Sequence, residues 1–170
     1  MSVPFCRRSG ASVGGLLFAL TFPVWTTHAA DMPTERITCS IAAAVRYQIP
    51  VNAMLAVAEQ EGGRPGLRMR NANGTYDVGA MQMNTAYLKE LKRFGIEERD
   101  VAGPGCYPYH LAAWRLRRHV LDDRGDIWTR IANYHSRTPV YNARYRAAII
   151  KRATRWATWL KARYPTYVAY

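Results

Sequence analysis

Val51-Asn52-Ala53-Met54-Leu55-Ala56-Val57-Ala58-Glu59-Gln60-Glu61-Gly62-Gly63 is an apolar run that ends in two glutamates and two glycines. Val51 to Gln60 is too apolar for a surface helix and too short to span a bilayer, so the reading is a helix buried at the centre of a domain. Gly62 and Gly63 stop it. A carboxyl group at the end of such a helix needs a reason. Desolvation disfavours its charged form and raises its pKa, leaving a carboxylic acid that can donate a proton near neutral pH, as a general acid must. The plain alternative is a solvated carboxylate at a frayed helix end, and spacing does not choose between Glu59 and Glu61.

Outward from this run, Ile37, Ile41, Ala44, Val45 and Gln48 fall at spacings of three and four after a Pro33-Thr34 start, predicting an amphipathic helix that Ile49-Pro50 ends. Arg64 to Asp77, with Pro65, Gly66 and Asn71-Ala72-Asn73-Gly74, reads as a long irregular loop, a common place for function. Asn84 or Thr85 caps a third helix whose Tyr87, Leu88, Leu91 and Phe94 share a face. Gly103-Pro104-Gly105 is a turn. Beyond Pro108, Leu111, Trp114, Val120 and Leu121 mark a fourth helix, Asp126 caps a short one with Ile127, Trp128 and Ile131, and Tyr141 to Lys161 forms the last. No stretch alternates as a sustained strand and no repeat appears, so the fold class is mainly α.

The chain has 170 residues, 49% hydrophobic and 12% aromatic, which disfavours low-complexity disorder and favours one domain. Arg7 and Arg8 precede an uncharged run from Ser9 to Thr27 and then Thr27-His28-Ala29, the pattern of a secretory signal peptide over residues 1–29, cleaved after Ala29 or Ala30. The domain is then 30–170, with no later membrane span. An uncleaved anchor is the alternative, disfavoured by Gly14, Gly15 and Pro23. Removing the leader removes Cys6 and leaves Cys39 and Cys106, 67 positions apart, as a disulfide or as two buried thiols; export favours the bridge. His110, His119 and His135 form no ligand spacing with the cysteines, so no metal is expected.

Net charge is +12, and its excess is C-terminal: residues 30–110 hold nine basic and nine acidic side chains, residues 111–170 thirteen and three. Arg144, Arg146, Lys151, Arg152, Arg155, Lys161 and Arg163 recur beside Tyr145, Trp156, Trp159 and Tyr164. Such a patch could meet a polyanionic envelope, an acidic lipid surface or an acidic protein, and export argues against nucleic acid. The plain reading is a solvated helix face whose arginine stems cover aromatic core residues.

Three motifs stand in order: Glu61-Gly62-Gly63, Gly79-Ala80-Met81-Gln82-Met83-Asn84, and Ile131-Ala132-Asn133-Tyr134-His135-Ser136. Together they resemble the motifs of lytic transglycosylases of the soluble, goose-lysozyme-like family, over roughly residues 36–150. The similar branch is the small exported enzymes of type IV (conjugative) and type III secretion systems, whose Asn-x-Asn-Gly-Thr-Tyr-Asp-x-Gly loop is matched by Asn71 to Gly79. The resemblance implies a single lysozyme-like helical domain in the periplasm that cleaves the MurNAc-GlcNAc bond of peptidoglycan strands and leaves 1,6-anhydroMurNAc ends. It implies Glu61 as catalytic acid/base with Glu59 the lesser candidate, and Gln82 as a substrate contact. Met81 and Met83 match packing or cleft-lining positions, Met81 being carried among the substrate contacts, and Tyr134 and Tyr145 match the aromatic residues near the glutamate, carried as substrate contacts too. Asn133-Tyr134-His135-Ser136 departs from the family's usual Tyr-Asn-x-Gly, so Asn133 is a weaker substrate contact and His135 weaker still. Asp77 suits a loop-fastening role or a second carboxylate.

Such an enzyme needs no cofactor, and its expected partners are peptidoglycan strands and components of a secretion or conjugation apparatus; a monomer is the default, for want of any heptad seam or assembly signal. A hydrolytic muramidase of the same fold, a binding module without activity, and an exported polyanion-binding protein are the rival readings.

Overall fold

The computed structural model describes residues 32–164; the expected leader and its cleavage sites lie outside them. The run from Val51 forms helix α2 (Val51–Glu61), in which every side chain from Ala53 to Ala58 is buried. Its alanines let neighbours approach closely. Helix α1 (Thr34–Tyr47) packs on one side, closed by Gln48 in the left-handed conformation, and the long helix α7 (Pro139–Arg163) packs along another, contributing Tyr145, Ile149, Ala153 and Trp156 to the core. Helix α5 (Tyr107–Asp122) packs on α1, and α6 (Ile127–Ala132), capped by the Asp126 carboxylate, fills the corner between α5 and α7. The chain is mainly helical and forms one domain.

The segment expected to be irregular carries a small antiparallel sheet. Strands β1 (Arg68–Arg70), β2 (Tyr76–Val78) and β3 (Met83–Asn84) pair in that order, with Met69 opposite Asp77 and Asp77 opposite Asn84. Strands of two or three residues are too short to show alternation. The connecting turn is held by the Gly74 N–H donating to the Asn71 carbonyl (3.0 Å) and the Thr75 N–H to the Asn73 side chain (3.1 Å). Helix α3 (Thr85–Leu91) follows, with Asn84 as its cap, then a 3-10 turn (Lys92–Phe94) and a short helix α4 (Glu98–Ala102) with a capping box that the sequence reading did not foresee.

Other expectations also shift. Helix α7 begins at Pro139, ahead of Tyr141, since proline suits the first turn. Val45, Phe94, Leu121 and Ile127 are exposed at 67%, 61%, 61% and 40%, so these four lie off the core faces assigned to them. The basic and aromatic residues of α7 do not share one surface. Tyr145 and Trp156 are buried in the core, while Arg152 and Arg155 turn inward to Glu59, and Arg144, Lys151, Lys161 and Arg163 stay exposed.

Cys39 and Cys106 form a disulfide that ties α1 to the start of α5 across 67 positions. Closing a loop of that length restricts the unfolded chain by about 4 kcal/mol. Replacing both cysteines with serine is expected to lower the unfolding free energy by about 2–5 kcal/mol in urea titration, and an unchanged midpoint would contradict that role. Among the described residues, no helix is long and apolar enough to cross a membrane.

Candidate active site

Glu61 is the last residue of α2, where the following Gly62 takes the left-handed conformation (φ 59°) and ends the helix. Arg36 of α1 holds this end in place by donating from its guanidinium to the carbonyls of Ala58 (3.3 Å) and Gly63. Gly63 then passes so close to the next motif that a Cβ there would overlap the Gly79 carbonyl and lie 2.9 Å from Gln82 Nε2. Gly79 has φ 72° and itself lies against the Val101 carbonyl. The glycines of the first two motifs therefore set backbone on backbone, which brings the sheet to the end of α2.

A cleft of about 620 Å³ opens at this junction, lined by Glu61, Asp77, Gln82, Arg115, Tyr134 and His135 among others. The Tyr145 hydroxyl donates to Glu61 Oε1 at 2.5 Å, and the His135 ring stacks on Tyr145 with centroids 4.9 Å apart and planes 2° from parallel. Burial pushes the Glu61 carboxyl up from 4.5 to about 7, against the Tyr145 hydrogen bond, with the Asp77 charge adding to the rise and Arg115 opposing it. Burial beside Glu61 raises the Tyr145 hydroxyl well above its ordinary value, so it stays a neutral donor.

The two glutamates separate cleanly. Glu59 accepts from Arg155 Nη2 (2.6 Å) and from the Trp156 indole N–H (2.7 Å), with Arg152 Nε at 3.4 Å, and so fastens α2 to α7. Glu61 alone faces the cleft. Gln82 lies in the left-handed region (φ 48°), rare for a residue with a side chain, and its Nε2 folds back to donate to the Gly79 carbonyl (2.9 Å). Tyr134 is buried, and its hydroxyl donates to the Met81 carbonyl (2.8 Å), joining the third motif to the second.

Two proposed substrate contacts are corrected. Met81 is fully buried, so its side chain packs beneath the cleft floor and offers no surface to a sugar; Met83 is buried likewise. Asn133 is absent from the cleft lining, because its side chain is engaged, donating to Asp123 Oδ2 (2.8 Å) and accepting from Asn142 Nδ2 (2.7 Å). Asp77 lines the cleft, yet its Oδ1 accepts from Asn84 Nδ2 (2.8 Å), the loop-fastening bond. His135 and Arg115 are nearer the site than the sequence suggested. His135 stands in a motif position where the usual pattern differs, and Arg115 lies on a helix with no motif. Among the described residues no group of three His, Cys, Asp or Glu side chains is placed to hold a metal ion.

Removing the Tyr145 hydroxyl removes a bond that favours the ionised Glu61. Tyr145→Phe is therefore expected to move the alkaline limb of any Glu61-dependent activity to higher pH. A pH–rate profile checks this, and a limb displaced to lower pH would contradict it.

No protein-family profile matches the chain. It is 32% identical over 104 residues to Protein IpgF of Shigella sonnei, covering 61% of this chain and 68% of that one. It is 28% identical over 101 residues to the Invasion protein IagB of Salmonella typhimurium, covering 59% and 62%. With a matched relative at that identity, covered over more than two thirds of its length, the chain belongs to the family of Protein IpgF.

Proposed function

We propose that the protein is a peptidoglycan lytic transglycosylase of the periplasm that opens the wall locally for a secretion or conjugation apparatus. The observation that carries this reading is the enclosed Glu61, held near half-protonation at neutral pH and hydrogen-bonded by the neutral Tyr145 hydroxyl. Protonated Glu61 donates its proton to the glycosidic oxygen as the bond from C1 of the muramic residue breaks. The C6 hydroxyl of that residue then attacks C1, and its proton returns to the Glu61 carboxylate, closing the 1,6-anhydro ring. Glycoside hydrolysis usually needs a second carboxylate, whereas this route needs one. Acid/base action supplies about 10²- to 10⁴-fold, so orientation by Gln82 and the tyrosines must add to it.

The rival is a muramidase in which Asp77 activates water. It is favoured by the position of Asp77 in the same cleft and opposed by its bond to Asn84. The mature protein added to purified sacculi is expected to release soluble muropeptides, read by chromatography. No release would contradict the enzymatic reading. The exposed cations Arg144, Lys151, Lys161 and Arg163 on α7 suit an acidic partner in the envelope.

A further inference from the structure

Arg115 projects from α5 into the cleft, and its guanidinium lies 4.3 Å from the ring centroid of Tyr87 and 4.7 Å from that of Tyr134. The two other arginines of the cleft have carboxylate partners: Arg118 pairs with Asp122 (3.7 Å) and Arg137 with Asp123 (2.9 Å). Among the described residues Arg115 has neither an ion pair nor a hydrogen bond. A guanidinium clamped by two aromatic rings keeps its orientation while its donors stay open to a ligand.

One helical turn on, His119 is 6% exposed and faces the same cleft. Its Nδ1 is 2.7 Å from Asp123 Oδ2, and hydrogen bonds from Arg137, Asn133 and His119 hold the Asp123 carboxyl at about 2 despite partial desolvation. Arg137 Nη2 also stands 3.3 Å from this Nδ1, but the ionised Asp123 is the shorter contact at 2.7 Å and takes the Nδ1 proton, leaving Nε2 an acceptor. That Nε2 is buried and has no partner. An unmet buried acceptor is costly unless something donates to it.

We propose that Arg115 and His119 form a subsite beside Glu61 for a carboxylate with a neighbouring N–H or O–H donor, carried by the muramic residue of the glycan. The subsite rests on the peptidoglycan reading of the cleft. Arg115 receives the carboxylate, and a turn of the His119 ring brings its buried Nε2 out to accept from the donor beside it. Two sources share this chemistry: a carboxylate of the peptide stem, whose backbone supplies amide N–H groups, and the lactyl carboxylate exposed when the stem is absent.

The test is calorimetric titration in a Glu61→Gln background, so that ligand is bound without turnover, with three probes. These are a GlcNAc-MurNAc oligosaccharide with peptide stems, the same glycan stripped to the lactyl carboxylate, and a chitin oligosaccharide with no carboxylate. Adding Arg115→Gln is expected to weaken at least one carboxylate probe about tenfold and to leave chitin binding unchanged; the probe affected identifies the source. Arg115→Lys, which keeps the charge but loses the planar fork, is expected to recover only part of the affinity. An equal loss for all three probes, or none, would overturn the subsite. Cleavage of sacculi by the wild type is read separately, so failure of the peptidoglycan reading is distinguishable from failure of the subsite.

Discussion

Glu61→Gln is expected to lower the rate of muropeptide release by about 10²- to 10⁴-fold, because it removes the carboxyl that gives and takes the proton at the glycosidic bond. The same substitution is expected to stabilise the protein at alkaline pH. Burial raises the folded-state pKa from 4.5 to about 7, so the native protein holds this proton more tightly than the unfolded chain. Stability from this group is therefore complete below about pH 4.5 and is lost as pH rises through about 7, reaching up to about 3 kcal/mol. Glutamine does not ionise. Urea unfolding should show the variant more stable than the wild type at about pH 8, with the difference narrowing toward pH 4. Activity of the wild type should fall above about pH 7, where the acid is ionised. A variant that is less stable than the wild type at pH 8 would contradict the placement of Glu61.

Gly63→Ala is expected to cost about a hundredfold in activity although Gly63 touches no substrate. Its Cβ would overlap the Gly79 carbonyl and press on Gln82 Nε2, so the sheet must retreat from the end of α2. Gly62→Ala is the control. Gly62 has φ 59° but the nearest atom to its Cβ would be the Glu59 carbonyl at 3.7 Å, so alanine there costs about 1–2 kcal/mol of backbone strain without moving the second motif. Steady-state kinetics on soluble muropeptide oligomers compares the two. Equal losses would mean that the close approach of the motifs does not govern the site.

Every helix but the five-residue α4 was legible because each carries its own signal: the apolar run of α2, the Asp126 cap of α6, the Asn84 cap of α3. The sheet was not, since three strands of two or three residues are set by turn chemistry and by pairing with one another, which no single strand announces. The glutamate was narrowed to two by its place at the end of a buried helix. Geometry separates them, because Arg155 and Trp156, almost a hundred positions away, take Glu59 out of the cleft. Met81 misled because a motif residue beside a site can serve it from beneath, through its carbonyl to Tyr134. Arg115 and His119 gave no signal at all: on α5 they look like any polar residues of an amphipathic helix, and only the packing of Tyr87 and Tyr134 around the arginine marks it.

The central claim is that Glu61 acts without a water nucleophile, and digestion of purified sacculi in ¹⁸O-labelled water with mass spectrometry of the released fragments tests it most directly. The account predicts anhydromuramoyl ends that carry no label and that disappear with Glu61→Gln. Reducing muramoyl ends carrying ¹⁸O would contradict it, and would give the second role to Asp77.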